Sequence, residues 1–182
     1  MSLMREIRGF PVPKRAVAIW WFGQNGYIFK SHEGTLASVD LYLTNFGPNL
    51  LYHNDGGRFR DVTRIAGVGD AHLSTSCAFA DIDNDGLLDL LVVNYVDPGD
   101  NTKVCGDSRK RAYCRPDVYD GVPNTLYRNN GDGTFTDVTR TAGIYRKDGK
   151  GLGVVFGDYD DDGRVDFFVA NDLVPNFLYH NE

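Results

Sequence analysis

The sequence predicts an all-β fold: a partial β-propeller of about two to three four-stranded blades whose hairpins carry aspartate-rich loops. Three observations predict it. The 182-residue chain repeats itself. Each copy reads as short strand-like runs punctuated by Gly, Asp and Pro, with no stretch at the helical period. Finally, a nine-residue pattern crowded with aspartates, DIDNDGLLD at 81–89, returns as DYDDDGRVD at 158–166.

The repeat is read from its asparagines. Asn49 opens NLLYHNDGGRFRDVTRIAGV, and Asn124 opens NTLYRNNGDGTFTDVTRTAGI, with one extra residue at the turn. A third partial copy, NFLYHNE, starts at Asn176. DLLVVN (89–94) pairs with DFFVAN (166–171), and DLYLTN (40–45) matches both. Within a unit, CAFAD and GVVFGD lead into the acidic loops, and the nearly continuous apolar runs LDLLVVN and VDFFVAN lead out. Runs of that length and composition suit strands. TLYRNN and TFTDVT then flank GDG, a hairpin signal, because Gly and Asp tolerate the positive φ of tight turns. The unit is therefore strand, acidic loop, strand, connection, strand, turn, strand. The chain holds one complete unit and two partial ones. That is too few to close a ring of about four to eight blades, so the sequence is either a fragment or a chain that assembles through its open strand edges.

The acidic loops need a counter-charge. Carboxylates crowded into one bend repel each other unless a hard cation sits among them, and calcium takes six to eight oxygen ligands. Aspartates at positions one, three, five and nine of a curled loop can aim at one point. The glycine at position six (Gly86, Gly163) permits the reversal, and the carbonyl at position seven (Leu87, Arg164) can add a backbone ligand. The expected sites are therefore Asp81, Asp83, Asp85, Leu87 and Asp89 in one loop, and Asp158, Asp160, Asp162, Arg164 and Asp166 in the other. Solvated turns without metal, and magnesium or manganese in place of calcium, are the alternatives; magnesium favours a strict octahedron and retains waters. An EF-hand is excluded, because position twelve is Val92 in one loop and Val169 in the other, where that motif needs a bidentate acid.

Composition narrows the class. Net charge is −6 with a pI near 5.1, which argues against nucleic acid because no basic stripe is present to meet phosphates. No apolar run is long enough to span a membrane, and no clear signal peptide is present. Cys105 and Cys114 lie nine positions apart in a polar segment, which suggests a disulfide and an oxidising compartment. Two free thiols are the alternative. The bridge would stabilise by roughly 2.5–3 kcal/mol in the chain-entropy description. It falls in an insertion, YVDPGDNTKVCGDSRKRAYCRPDVYDGVP, with a basic cluster of Lys103, Arg109, Lys110, Arg111 and Arg115. This insertion is either a solvated loop pinned by the bridge or a partner-binding loop.

FADIDNDGLLDLLVVN, VFGDYDDDGRVDFFVAND and PNTLYRNNGDGTFTDVTRTAGI together resemble the FG-GAP (VCBS-type) repeats of integrin-α-like β-propellers, of the cartilage acidic protein type. The resemblance covers about residues 39–182. It implies blades with a calcium loop between their first two strands, and an extracellular, periplasmic or cell-surface adhesion or binding role. One departure stands out. Counting back from Asp40, the acidic positions of the first repeat would be His32, Gly34 and Leu36, which cannot hold calcium, so two sites are expected.

Residues 1–40 stand outside the repeat. REIRGFPVPKRAVAIWWFGQNGYIFKSHEGTLASVD resembles the opening of metallo-β-lactamase-fold hydrolases of the ascorbate-phosphate lactonase type, where a WW-x-GQ-x-G strand pair begins the sandwich. The domain division expected is thus 1–40, a truncated start of that kind or extra strands, and 41–182, the repeats. The hydrolase's His-x-His-x-Asp-His cluster does not follow. His32, His53, His72 and His180 are isolated in sequence, and His53 and His180 share one repeat position held by Arg128 in the middle copy. Trp20, Trp21, Phe22, Tyr27 and Phe29 read as core or edge-covering aromatics.

The reading is a non-catalytic, calcium-binding repeat module with an unidentified protein or carbohydrate ligand. The alternative is a residual metal-dependent hydrolase. Against an enzyme, no Ser or Cys nucleophile with a His partner stands out, and loops that turn their carboxylates toward a cation are expected to leave none raised in pKa by an apolar pocket.

Overall fold

The computed structural model describes residues 40–55, 58–99, 103–107 and 109–182, together with the backbone of three N-terminal strands at 17–21, 27–31 and 36–38. Strands β1 (Val17–Trp21), β2 (Tyr27–Ser31) and β3 (Leu36–Ser38) form one antiparallel sheet, in that order. The side chains of Trp20, Trp21, Tyr27 and Phe29, and Phe22 altogether, lie outside the described residues, as do His32 and most of the 1–40 segment.

The repeats build three further sheets. The first contains β4 (Leu41–Leu43), β5 (Leu50–Asp55) and β6 (Arg58–Asp61). The middle one is a four-stranded meander of β7 (Ser74–Ala80), β8 (Asp89–Asn94), β11 (Thr125–Asn129) and β12 (Phe135–Asp137). The third contains β13 (Gly151–Gly157), β14 (Asp166–Asn171) and β15 (Phe177–Tyr179). All pairings are antiparallel. Among the described residues, helix is confined to a one-turn α1 (Thr63–Ala66) and a 3₁₀ turn at Pro116–Val118. The protein is thus nearly all β, and no closed barrel forms among the described residues. The complete middle sheet and its two shorter neighbours match the one complete and two partial units of the sequence.

The continuous apolar run of β8 now has a reason. All six of its residues are buried, and successive side chains alternate faces. Leu90 and Val92, with Tyr127, pack on Tyr42 and Leu51 of the first sheet. Leu91 and Val93, with Leu126, pack on Phe167, Val169 and Phe177 of the third. The middle sheet is therefore buried on both sides, as a blade between two blades must be. Close approach is enforced at Gly151, where a Cβ would collide with Val93. There the Thr75 hydroxyl donates to the Gly151 carbonyl at 2.8 Å, joining β7 to β13.

Three polar devices recur, two of them in all three units and the third in the first two. The asparagine ending the second strand donates its side-chain amide to the carbonyl of a proline: Asn45 to Pro48 at 3.0 Å, Asn94 to Pro123 at 2.9 Å, Asn171 to Pro175 at 2.9 Å. The asparagine after that proline accepts in return from the first asparagine's N–H: Asn49 at 2.8 Å, Asn124 at 3.0 Å, Asn176 at 2.8 Å. The DVT motif closes the fourth strand. Asp61 and Asp137 hold the hydroxyls of Thr63 and Thr139 at 2.7 and 2.6 Å, and those hydroxyls accept the N–H groups of Leu51 and Leu126 at 2.8 and 3.0 Å. Backbone groups that end a strand early thereby keep partners.

The Cys105–Cys114 disulfide is present, with Cα atoms 5.1 Å apart. It staples the two-residue strands β9 (Cys105–Gly106) and β10 (Arg111–Ala112) of the insertion. The buried Lys150 ties that insertion to the third sheet by donating from Nζ to the Pro116 carbonyl at 2.7 Å.

Candidate metal centres

The two acidic loops are the β7–β8 and β13–β14 hairpin bends, and their backbones superimpose in kind. Position four has φ of +58° at Asn84 and +60° at Asp161; position six has +87° at Gly86 and +85° at Gly163. Left-handed backbone is cheap for glycine and tolerable for Asn and Asp, so the residue types at these positions follow from the bend.

The hydrogen bonds repeat as well. In the first loop, Asp81 accepts from the N–H groups of Asp85 at 3.1 Å and Gly86 at 2.9 Å, and Asp85 accepts from Leu87 at 2.8 Å. In the second, Asp158 accepts from Asp162 at 3.1 Å and Gly163 at 2.8 Å, and Asp162 accepts from Arg164 at 2.8 Å. These bonds fix Asp81 and Asp85 in the first loop and Asp158 and Asp162 in the second. Oxygen atoms of Asp81, Asp83 and Asp85 fall within 4.8 Å of one another, as do those of Asp158, Asp160 and Asp162. Leu87 and Arg164 lie two residues on, in the same bends, with their N–H groups bonded to Asp85 and Asp162.

Position nine behaves differently. Asp89 and Asp166 are 2% and 1% exposed, and both their oxygens accept backbone N–H groups. Asp89 takes Ile82 at 3.1 Å and Asn129 at 2.8 Å; Asp166 takes Tyr159 at 3.0 Å and Asn181 at 2.8 Å. Each thus clamps the loop to the third strand of its blade. Asp40, at the same repeat position, accepts from the Asn54 N–H at 3.1 Å. An aspartate is kept there although the rest of the acidic pattern is gone, because the clamp does not depend on the loop.

The two position-nine carboxyls are shifted oppositely. Burial, followed by the nearby charges of Asp83 and Asp85, pushes Asp89 up against its two N–H bonds. Asp166 is held down, first by the Asn181 N–H, then by Tyr159 and by His180. No carboxyl was expected to be raised by an apolar pocket; what raises Asp89 is burial, because the last loop residue belongs to the blade interior. It faces backbone donors.

Sequence reasoning missed His180. Its Nδ1 lies 3.3 Å from Asp166 and 3.5 Å from Asp160, which places an imidazole beside the second acidic group only. His53 makes the equivalent contact to Asp40 at 3.0 Å. The shared position in LYHN was the available signal. Asn181 was missed too. Its amide donates to the carbonyls of Val165 at 3.3 Å and Ile82 at 2.7 Å, linking the second loop to the first.

What the arrangement can do follows from its donors. Two clusters of three carboxylates, each oriented by backbone N–H groups and exposed on one side, present hard oxygen ligands of the kind that fit calcium. Away from the loops, at the opposite ends of β8 and β11, the insertion walls a cleft of about 710 Å³ lined in part by His72, Asp97, Asp120, Arg140, Tyr145 and Lys147.

The third cysteine, Cys77, sits in β7, and burial pushes its thiol up to about 12. Alkylation of the native, unreduced protein should therefore label no cysteine rapidly, and denaturation without reductant should expose one thiol per chain. Three labelled thiols would contradict the bridge.

Residues 38–92 and 112–169 match the model of the FG-GAP-like repeat. Among curated proteins, the chain is similar to cartilage acidic protein 1 of Homo sapiens, at 42% identity over 57 residues. The corresponding proteins of Mus musculus and Xenopus tropicalis share 40% and 39% over the same length. Each alignment covers 31% of this chain and 9% of the relative, so the chain spans only a small part of those proteins. The family match takes in more than half of the residues and both acidic hairpins, and the chain belongs to the FG-GAP-like repeat family.

Proposed function

We propose that the chain is a non-catalytic calcium-binding module with a structural, adhesive or ligand-binding role. The observation that carries the reading is the convergence of Asp81, Asp83 and Asp85, and of Asp158, Asp160 and Asp162, on two bends with the same hydrogen-bonding plan. These residues, with the carbonyls of Leu87 and Arg164, would hold one ion each. Asp89 and Asp166 would act beneath them as clamps and negative charge. A bound ion adds positive charge among the carboxylates, which in the second loop are met by Arg164 at Asp162 and His180 at Asp160, so its binding free energy becomes folding free energy.

The Cys105–Cys114 bridge supports an oxidising setting, outside the cell or at its surface. Protein or carbohydrate ligands fit the mixed-charge cleft beside the insertion better than an apolar compound would, since its walls carry acids, bases and hydroxyls. A hydrolytic role finds no support at the loops, where four of the six carboxylates, those of Asp81, Asp85, Asp158 and Asp162, are engaged by backbone donors.

Native mass spectrometry tests the proposal. The chain should carry two calcium ions at millimolar calcium and none after chelation, with no turnover of lactone or phosphoester substrates. A calcium-free spectrum, or zinc-dependent hydrolysis, would overturn it.

A further inference from the structure

The charge of the chain is inverted in one place. The protein carries −6 overall, yet residues 103–115 hold five cations against the single carboxylate of Asp107. The β9–β10 hairpin carries three of those cations in a row. Arg109, Lys110 and Arg111 are all exposed, and none of them joins an ion pair among the described residues. The Asp107 carboxylate is taken up by the turn itself, accepting from the N–H groups of Arg109 at 2.7 Å and Lys110 at 2.8 Å. Asp117 is met by Arg115 at 3.6 Å. The first acidic bend lies at the other end of β8, six residues away. That is about 20 Å at the rise of a strand, more than two screening lengths at physiological salt.

The hairpin is also held in place. The Cys105–Cys114 bridge staples it. At its base the Lys103 ammonium donates to the Val118 carbonyl and lies 4.6 Å from the centre of the Tyr119 ring. A ligand docking there meets groups that are already ordered. Tyr113, two residues past Arg111, is fully exposed.

We infer that this hairpin is a docking surface for an acidic polysaccharide, whose sulfate or carboxylate groups meet Arg109, Lys110 and Arg111 while a sugar ring lies on Tyr113. Guanidinium groups take such oxyanions through paired N–H donors, and a polymer with repeating anions suits a short row of unpaired cations. A protein partner calls for a desolvated apolar anchor at the centre of the contact, where this row places charge. A lipid surface calls for a larger apolar face than Val104 and Tyr113 supply. The oxidising setting that the bridge favours lies outside the cell, where such polymers are met. The surface is separate from the acidic bends, and the inference does not rest on ion binding.

Surface plasmon resonance of the full chain over immobilised heparin, polygalacturonate and neutral dextran, in calcium and again in chelator, tests it. The sulfated and carboxylated arms separate the two sources of the anion. The chain should bind at least one polyanion in both buffers, and dextran in neither. Raising sodium chloride from about 50 to about 300 mM should weaken binding about tenfold or more. The triple variant Arg109→Ser, Lys110→Ser, Arg111→Ser should lose about tenfold or more with its melting temperature unchanged. The charge-matched variant Arg58→Ser, Arg64→Ser, Arg128→Ser, exposed and elsewhere, should stay within about twofold of wild type. Equal losses in the two variants would overturn the proposal. So would binding that chelator abolishes, which would be calcium bridging at the bends. Binding to phosphatidylserine vesicles with none to either polyanion, or no binding at all, would overturn it too.

Discussion

Removal of calcium should lower the melting temperature by about 6–12 °C. Each site at ten times its dissociation constant contributes about 1.4 kcal/mol, and for a chain of this size each kcal/mol is worth about 2–4 °C. The shift arises because chelation leaves two groups of three carboxylates, each within 4.8 Å, whose repulsion is offset, among the described residues, only in the second, by the Arg164–Asp162 pair. The loss should be local before it is global. The hairpin bends carry exposed carboxylates, whereas the clamps at Asp89 and Asp166 lie in the blade interior. Differential scanning calorimetry in calcium and in chelator checks the expectation. Hydrogen exchange should show the fastest opening at 81–88 and 158–165, with β8 and β14 protected. High sodium chloride should recover only part of the loss, since screening weakens repulsion without supplying ligands.

Asp70 is the second place where a single change has a large effect. It is buried, and its carboxylate accepts from the Asn94 amide at 2.9 Å, the Thr125 hydroxyl at 2.7 Å and the His72 N–H at 3.0 Å. It therefore ties the segment leaving the first blade to β8 and β11 of the middle one. Asp70→Ala strands buried donors on two strands at about 1–3 kcal/mol each, so the expected loss is about 3–5 kcal/mol in chemical denaturation. Burial by itself would raise the Asp70 carboxyl; the bonds from Asn94, His72 and Thr125 and the His72 imidazole outweigh it and hold the carboxyl below its ordinary value. A depressed folded pKa gives stability that is complete above the ordinary value of 3.8 and is lost as pH falls through the lower folded one. The gap between wild type and Asp70→Ala should therefore be widest near neutrality and shrink below that value. A gap independent of pH would show that the carboxylate's charge is not what the network uses.

The middle blade was the most legible part of the sequence, for local reasons. The run of β8 announces a strand buried on both faces, GDG announces its hairpin, and a nine-residue spacing with glycine sixth dictates a bend. What could not be read is what depends on partners far along the chain. Asp70 lies 24 and 55 residues from Asn94 and Thr125, and no periodicity reports such a meeting. Position nine of each loop was grouped with its neighbours by spacing alone. Its burial raises the Asp89 carboxyl against the N–H bond of Asn129, which is 40 residues on. His180 was dismissed as isolated in sequence, yet β15 pairs with β14 and so brings it to Asp166. The Asn-to-Pro-Asn latches were visible as repeats, but their chemistry was not, because each closes a connection whose length varies between copies.

The account's central claim is that each aspartate bend holds its own ion. Titration calorimetry with calcium on the wild type, Asp83→Ala, Asp160→Ala and the double variant tests it most directly. Asp83 and Asp160 extend from exposed loop positions, so neither change removes a clamp. Two ions per chain for the wild type, one for each single variant and none for the double variant is the predicted result. A wild type that takes up no calcium, or single variants that both still bind two ions, would contradict it.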